Sequence, residues 1–362
     1  MAKIIYGVSG EGSGHSSRAR EMIAHLEQLG HIVKVVSYDR GYHNLKHDFD
    51  VFETEGLHIS SSDNRVSKVK TFTENLKRLS KGHKKLQALR KEIFKTFQPD
   101  CVITDFEPMT AYLANHYDLP LITIDNQHRL RYMSYPCPAH LQKDRRMTVS
   151  IIRAMVPRPD ISLATTFYLG KAKNDRTYFF PPILRKAVLC LQPRYGEHIL
   201  VYLTGGFETF LKKLKSFKRE QFRVYGYDRD DTEDHITYKP FSKDGFLKDL
   251  ASCKAVMATA GFTLMTESFY LRKPYLALPM RGQFEQEING LLLAKLIYGI
   301  NLRRVNAQAI GNFLYRLPDF QDNLMNYNPE DNRAIKAKLE ELLDNHCAIA
   351  WKYHRKRTRL IP

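Results

Sequence analysis

Residues Tyr6–Ser37 read YGVSGEGSGHSSRAREMIAHLEQLGHIVKVVS, with Gly10, Gly12, Gly14 and His15 between an apolar run and a helical pattern. Two common uses of such a turn fail on spacing. In the dinucleotide fingerprint G-x-G-x-x-G the third glycine lets helix and strand pack closely, and here that position is His15. A P-loop needs G-K-[ST] after the strand, and the stretch has none. What remains is a flexible turn that sets His15 at the start of the first helix, above the end of the first strand. A neutral imidazole there can take a proton from a hydroxyl, and a helix N-terminus disfavours its cation. The alternative is a helix-capping histidine, with Ser13 or Ser16 as the cap proper.

A second cluster lies at Val256–Leu293, VMATAGFTLMTESFYLRKPYLALPMRGQFEQEINGLLL, which runs strand, glycine turn, helix, strand, polar loop, helix. This stretch resembles the donor-sugar signature of GT-B glycosyltransferases, especially the bacterial peptidoglycan N-acetylglucosaminyltransferase family and relatives that use nucleotide-diphosphate sugars. The resemblance implies that Thr259, Ala260, Gly261, Phe262 and Thr263 cradle the donor diphosphate, and free N–H groups at a helix N-terminus do bind phosphate. It implies that Glu267 accepts the ribose hydroxyls and that Glu285 and Gln286 read the donor sugar, with Asn289 matching the family's asparagine one turn further on. The peptidoglycan enzymes carry two glutamines where this chain has Glu285 and Gln286, a pair more like that of enzymes acting on glucose-like donors, so the sugar stays open.

Three further stretches carry the same resemblance. VYLTGGFETFL resembles the glycine loop opening the second domain, which places Gly205, Gly206 and Phe207 on the donor side. GEGSGH resembles the acceptor loop, with Gly12, Ser13 and Gly14 along the acceptor and His15 in the place of the base. In PDCVITDFEPMTAYLA, Asp105 ends a strand; in related transferases an aspartate in this region orients the histidine, and a plain N-cap of the following helix is the other reading. His128 follows Asp125, Asn126 and Gln127 at another strand end, either lining the acceptor side or serving the loop itself. ITIDNQHRLRY and PPILR are closest to a poorly defined bacterial and archaeal group of glycosyltransferases in this superfamily.

The elements that must position these residues alternate. KIIYGVS, SSRAREMIAHLEQLG and HIVKVVS form one strand–helix–strand unit, which predicts a parallel sheet. The alternation continues through CVITD and LPLITID, breaks at the Pro-rich Thr177–His198, and restarts with ILVYLTGG. The expected fold is α/β of GT-B type, two Rossmann-like doubly wound domains facing across a cleft, with both glycine turns at the carboxyl ends of strands. The expected division is 1–180 for the acceptor-side domain, 181–197 for the linker, 198–340 for the donor domain, and 341–362 for a last helix crossing back, with Trp351 as an interdomain peg.

The chain has 362 residues and a formal charge of +17, clustered at Lys68–Lys95, His128–Met147, Lys212–Arg219 and Lys352–Arg359. Such a surface attracts phosphates on a nucleotide, an anionic bilayer or nucleic acid. The expected partners are a nucleotide-sugar donor, a glycan or glycolipid acceptor and an anionic membrane surface reached through the basic Lys68–Lys95 helix; the donor-type motif speaks against nucleic acid. No segment has the roughly 18 apolar residues of a spanning helix and Met1–Lys3 leads straight into a strand, so the expectation is a cytoplasmic protein peripheral to the membrane. Five scattered cysteines read as reduced thiols, and no Cys, His or carboxylate spacing reads as a metal site. The expected cofactor set is therefore empty, the nucleotide sugar being a substrate, with main-chain amides and Arg185 or a neighbouring cation neutralising the leaving diphosphate. A nucleotide-sugar epimerase of the same fold is the alternative enzyme, and a non-catalytic nucleic-acid binder the alternative class.

Overall fold

The computed structural model describes residues 1–56, 61–62, 65–66, 85–327 and 331–358. It divides into two compact units, the first Met1–Ser61, Ser67–Arg185 and Glu330–Pro362, the second Ser62–Val66 and Lys186–Pro329. The chain thus leaves the first unit after Arg185 and rejoins it at Glu330, earlier than the expected 341.

The first unit holds a seven-stranded sheet. In chain order its strands are β1 (Lys3–Val8), β2 (Ile32–Ser37), β3 (Val51–Glu53), β6 (Cys101–Asp105), β7 (Leu121–Asp125), β8 (Ile161–Thr165) and β9 (Thr177–Phe180), with the two-residue pair β4 (Ser61–Ser62) and β5 (Arg65–Val66) between β3 and β6. The spatial order is β3-β2-β1-β6-β7-β8-β9, parallel throughout. Strands β6, β7 and β8 are buried along their whole length, as expected when helices cover both faces of a parallel sheet.

Alternate side chains serve opposite faces. Ile4, Tyr6 and Val8 of β1 join Ala19, Met22, Ile23 and Leu26 of the helix Ser13–Gln28 in one core, while Ile5 joins Leu89, Ile93 and Phe94 in the other. Those last three lie on the π-helical stretch Leu89–Thr96, so the end of the basic segment Lys68–Lys95 turns its apolar side into the core; residues 68–84 lie outside the described residues.

The terminal helical segment Arg333–Thr358 completes the first core with Ile335, Leu339, Leu342, Leu343, Cys347 and Ala350. It breaks at Asp344–Cys347, where Asn345, His346 and Cys347 take φ of 46°, 54° and 63°. There the buried Cys347 thiol donates to Cys101 Sγ on β6 at 3.4 Å, both cysteines being free. Trp351 packs against this same core of the first unit. Its neighbour His354 sits between Asp160 (3.0 Å) and Asp118 (2.9 Å), and Arg357 pairs with Asp160 at 2.6 Å.

The second unit repeats the plan with β10 (His198–Tyr202), β11 (Gln221–Tyr225), β12 (Thr232–Glu233), β13 (Ile236–Lys239), β14 (Ala255–Thr259), β15 (Tyr275–Leu278) and β16 (Gly299–Asn301). Their order is β12-β13-β11-β10-β14-β15-β16, parallel except for the short β12 edge. Its core gathers Val201, Phe210, Val224, Met257, Leu276 and Phe313 among others.

Candidate active site

Strands β1 and β6 are neighbours at the centre of the first sheet, and their register sets Val8 opposite Asp105. Both carboxyl ends therefore open at one place. After β1 the chain turns through Gly10–Gly12, and Gly12 caps the helix Ser13–Gln28 with φ 78° and no side-chain cap bond. That left-handed conformation suits glycine. Neither Ser13, Ser16 nor His15 caps the helix; Ser16 and Ser17 hydroxyls bond back to the Ser13 carbonyl.

His15, freed from capping, reaches Asp105. Its Nδ1 lies 2.6 Å from Asp105 Oδ1, with His15 8 % exposed and Asp105 fully buried. Asp105 does not cap the following helix either, because Glu107 does so, accepting from the amides of Met109 (2.9 Å) and Thr110 (2.7 Å). Between them Phe106 adopts φ 58° and lays its ring against the His15 imidazole, centroids 6.5 Å apart and planes 17° from parallel. A bulky residue at positive φ is strained, and such residues concentrate at functional sites.

A third residue joins them that motif reading missed. Arg18, one helical turn after His15, forks on Asp105 with Nε to Oδ2 at 2.6 Å and Nη2 to Oδ1 at 2.5 Å. Its Nη1 donates to Asn126 Oδ1 at 2.7 Å, and its Nη2 lies 2.8 Å from His15 Nδ1. The i, i+3 spacing was the available signal, since such residues share a helix face. Above the turn a cavity of about 560 Å³ is lined by Gly10, Glu11, Gly12, Asp39, Arg40 and His43. Gly12 and Ser13 are exposed there and Gly14 half-buried.

His128, read as lining the acceptor side or serving the loop, is fully buried, with its amide and Nδ1 on the two oxygens of Asp125 at 2.8 and 2.7 Å and its ring stacked on Tyr132. Burial raises the Asp125 carboxyl, but the charge and hydrogen bonds of His128, with Arg18 behind them, outweigh it and hold it below its ordinary value. Asn126 is drawn instead to Arg18.

In the second unit the donor-type turns also sit at neighbouring strand ends, β10 and β14 being paired through Tyr202 and Ala258. Gly205 and Gly206 are exposed, Phe207 half-buried, and the Gly206 amide donates to Glu208 at 2.9 Å. The Thr259–Gly261 turn is braced through its carbonyls. The Tyr275 hydroxyl donates to Thr259 O at 2.7 Å and the Asn289 amide to Ala260 O at 2.8 Å. Gly261 caps the helix Phe262–Tyr270 without any side-chain cap bond, and around the place of a Cβ on Gly261 the nearest atom is Thr259 Oγ1 at 4.0 Å. Such a turn offers main-chain N–H groups with room in front of them. Phe262 is buried and Thr263 half-buried; Glu267 is 2 % exposed on the same helix. Gln286 accepts from the Met280 amide at 3.0 Å, and Glu285 beside it is half-buried. Among the described residues no three His, Cys, Asp or Glu side chains cluster for a metal ion, and no helix is long and apolar enough to cross a membrane.

Residues 2–318 match the model of glycosyl transferase family 1. The chain belongs to that family. A curated relative, an uncharacterized glycosyltransferase of Methanosarcina mazei, is 24% identical over 335 residues, covering 82% of this chain and 84% of its own. Among solved structures, the glycotransferase of kitacinnamycin superposes with a TM-score of 0.63 at 15% identity, covering 99% of both chains. Acinetobacter baumannii MurG gives 0.61 at 10% identity, covering 94% of this chain and all of its own. At such identities the likeness establishes the fold, which is GT-B. The protein is a glycosyltransferase with a nucleotide-sugar donor and an acceptor as its general partners.

Proposed function

We propose that this glycosyltransferase transfers a sugar from a uridine-diphosphate donor to a hydroxyl of a glycan or glycolipid acceptor, with inversion at the anomeric carbon. The observation that carries the reading is the buried His15–Asp105 contact at 2.6 Å. With the Nδ1 hydrogen given to Asp105, His15 Nε2 keeps its lone pair and accepts the acceptor's proton. The acceptor oxygen bonds to the anomeric carbon as the bond to the diphosphate oxygen breaks on the opposite face. The leaving diphosphate takes the electron pair, and the amides at Gly261, Phe262 and Thr263 receive its charge. Glu267 holds the ribose, Glu285 and Gln286 orient the sugar, and Gly205, Gly206 and Phe207 line the donor side.

In this reading no divalent metal is required, because main-chain dipoles supply the charge stabilisation. The enzyme works in the cytoplasm, and the clustered cations of the surface support peripheral attachment to an anionic membrane. Thermal stabilisation by UDP and UDP-sugars tests the donor half: it is expected in the wild type and in His15→Ala, and lost in Glu267→Gln. Transfer by His15→Ala at the wild-type rate, or a product of retained configuration, would refute the base.

A further inference from the structure

We infer that Arg18 is a positioning residue that cancels the charge of Asp105 and so keeps His15 a neutral, Nδ1-protonated imidazole ready to accept a proton. This rests on the reading of His15 as the base.

The contacts of Nδ1 demand opposite things. Asp105 Oδ1 at 2.6 Å requires a hydrogen on it, whereas Arg18 Nη2 at 2.8 Å would prefer a lone pair. A bare Nδ1 would put two lone pairs against each other at 2.6 Å. Arg18 is not in need of it, because its Nη2 already donates to the same carboxylate oxygen and its Nε and Nη1 donate to Asp105 Oδ2 and Asn126. The stable arrangement therefore puts the hydrogen on Nδ1 and leaves Nε2 bare.

The charge balance has a second effect. A buried carboxylate alone beside an imidazole favours the imidazolium strongly, and a base already protonated cannot act. With Arg18 forked on Asp105, the trio is neutral before it takes a proton and carries one positive charge after. The cation thus opposes premature protonation, while the carboxylate still orients the ring and steadies it once protonated.

Other groups face the trio as well. On β1 the buried Tyr6 hydroxyl stays a neutral phenol, pushed well above its ordinary value by burial and then by Asp105, with Arg18 pulling the other way. At the end of β7 stands Asp125, already paired with His128. From the β6 side Phe106 covers the imidazole with an uncharged ring. Arg18 is thus the one cation in hydrogen-bond contact with Asp105 among the described residues.

The test is histidine NMR on the full chain carrying ¹³C- and ¹⁵N-labelled histidine, with the His15 resonances assigned by their loss in His15→Gln. In Arg18→Gln the ¹⁵N shifts of His15 at neutral pH are expected to move from the neutral, Nδ1-protonated pattern of the wild type toward the imidazolium pattern, because a carboxylate without its cation favours the charged ring. Arg18→Lys keeps the cation without the fork and is expected to keep the neutral pattern. A wild-type pattern in Arg18→Gln overturns the inference. So does an imidazolium pattern in Arg18→Lys, which decides the matter should Arg18→Gln not fold. Full transfer by His15→Ala would instead remove the base reading and leave the ¹⁵N result standing.

Discussion

Two glycine turns, each at the carboxyl end of a central strand, do opposite things with the same backbone device. The Gly10–Gly12 turn leads into a helix whose first residues carry a buried ionic network of His15, Asp105 and Arg18. The Thr259–Gly261 turn has its carbonyls tied by two neutral groups, a tyrosine hydroxyl and an asparagine amide. One turn gathers charged side chains; the other leaves room in front of main-chain N–H groups. Under the proposed reaction, charged groups in the second turn would compete with a diphosphate, whereas a proton acceptor in the first has to be held by charges. That proposal accounts for the residue types around each turn.

The comparison breaks most sharply at Asp105. Removing it as Asp105→Ala leaves the Arg18 cation buried without its carboxylate, and breaking a buried pair costs about 3–5 kcal/mol. Denaturant unfolding should show that loss, and a variant as stable as the wild type would mean Arg18 finds water or another acceptor. No single side chain around the Thr259–Gly261 turn should cost as much.

A smaller effect separates the two turns themselves. A Cβ on Gly10 would stand 2.2 Å from the Tyr38 carbonyl, so Gly10→Ala should destabilise by about 1–3 kcal/mol through overpacking. Gly261 has φ −70° and, its chain neighbours apart, Thr259 Oγ1 at 4.0 Å is the nearest atom to such a Cβ, so Gly261→Ala should fold normally and weaken UDP binding by crowding the amides. Calorimetric titration with UDP alongside thermal melts reads both; equal melting losses would erase the distinction.

The smallest expected effect is a pH dependence away from both turns. His354 is raised above its ordinary 6.5: burial alone would lower it, but the Asp160 and Asp118 carboxylates outweigh burial. A raised histidine contributes stability that is fully present below its unfolded value and is lost as pH rises through the folded one. Melting temperature should therefore fall across that interval in the wild type and fall less in His354→Gln. Identical slopes would show that the terminal helix is held by packing alone.

Much of this was legible in the sequence, and the rest was hidden for identifiable reasons. Strand–helix alternation is written in local periodicity, so the two parallel sheets could be read from apolar runs ending in glycine, and the GT-B class from the resemblance of the Val256–Leu293 stretch. His15 and Asp105 could each be named by residue type and position. Their contact spans 90 residues and depends on the register that sets Val8 beside Asp105, which no local pattern encodes. Arg18 looked like one more cation in a basic chain, because only the carboxylate it meets distinguishes it. His128 sits in a polar stretch that reads as acceptor-side lining or loop chemistry, yet it is fully buried with its amide and Nδ1 on Asp125. A last helix crossing back was expected, but not its start before 341, because Ile335 and Leu339 form an ordinary apolar stripe whose target the stripe does not name.

That returning helix bears on how the protein is made. Nearly all of the second unit is one unbroken run, Lys186–Pro329, complete as soon as it leaves the ribosome. The first unit begins earlier and finishes later, since its core lacks Ile335 through Ala350 until translation is almost over. An emerging chain would hold the face of β7 and β8 that this helix covers bare until then, exposed to chaperones and proteases. A product cut short after Pro329 would keep every motif residue named above and still leave that apolar surface bare, so quality control would meet it as an unfinished protein carrying an intact signature.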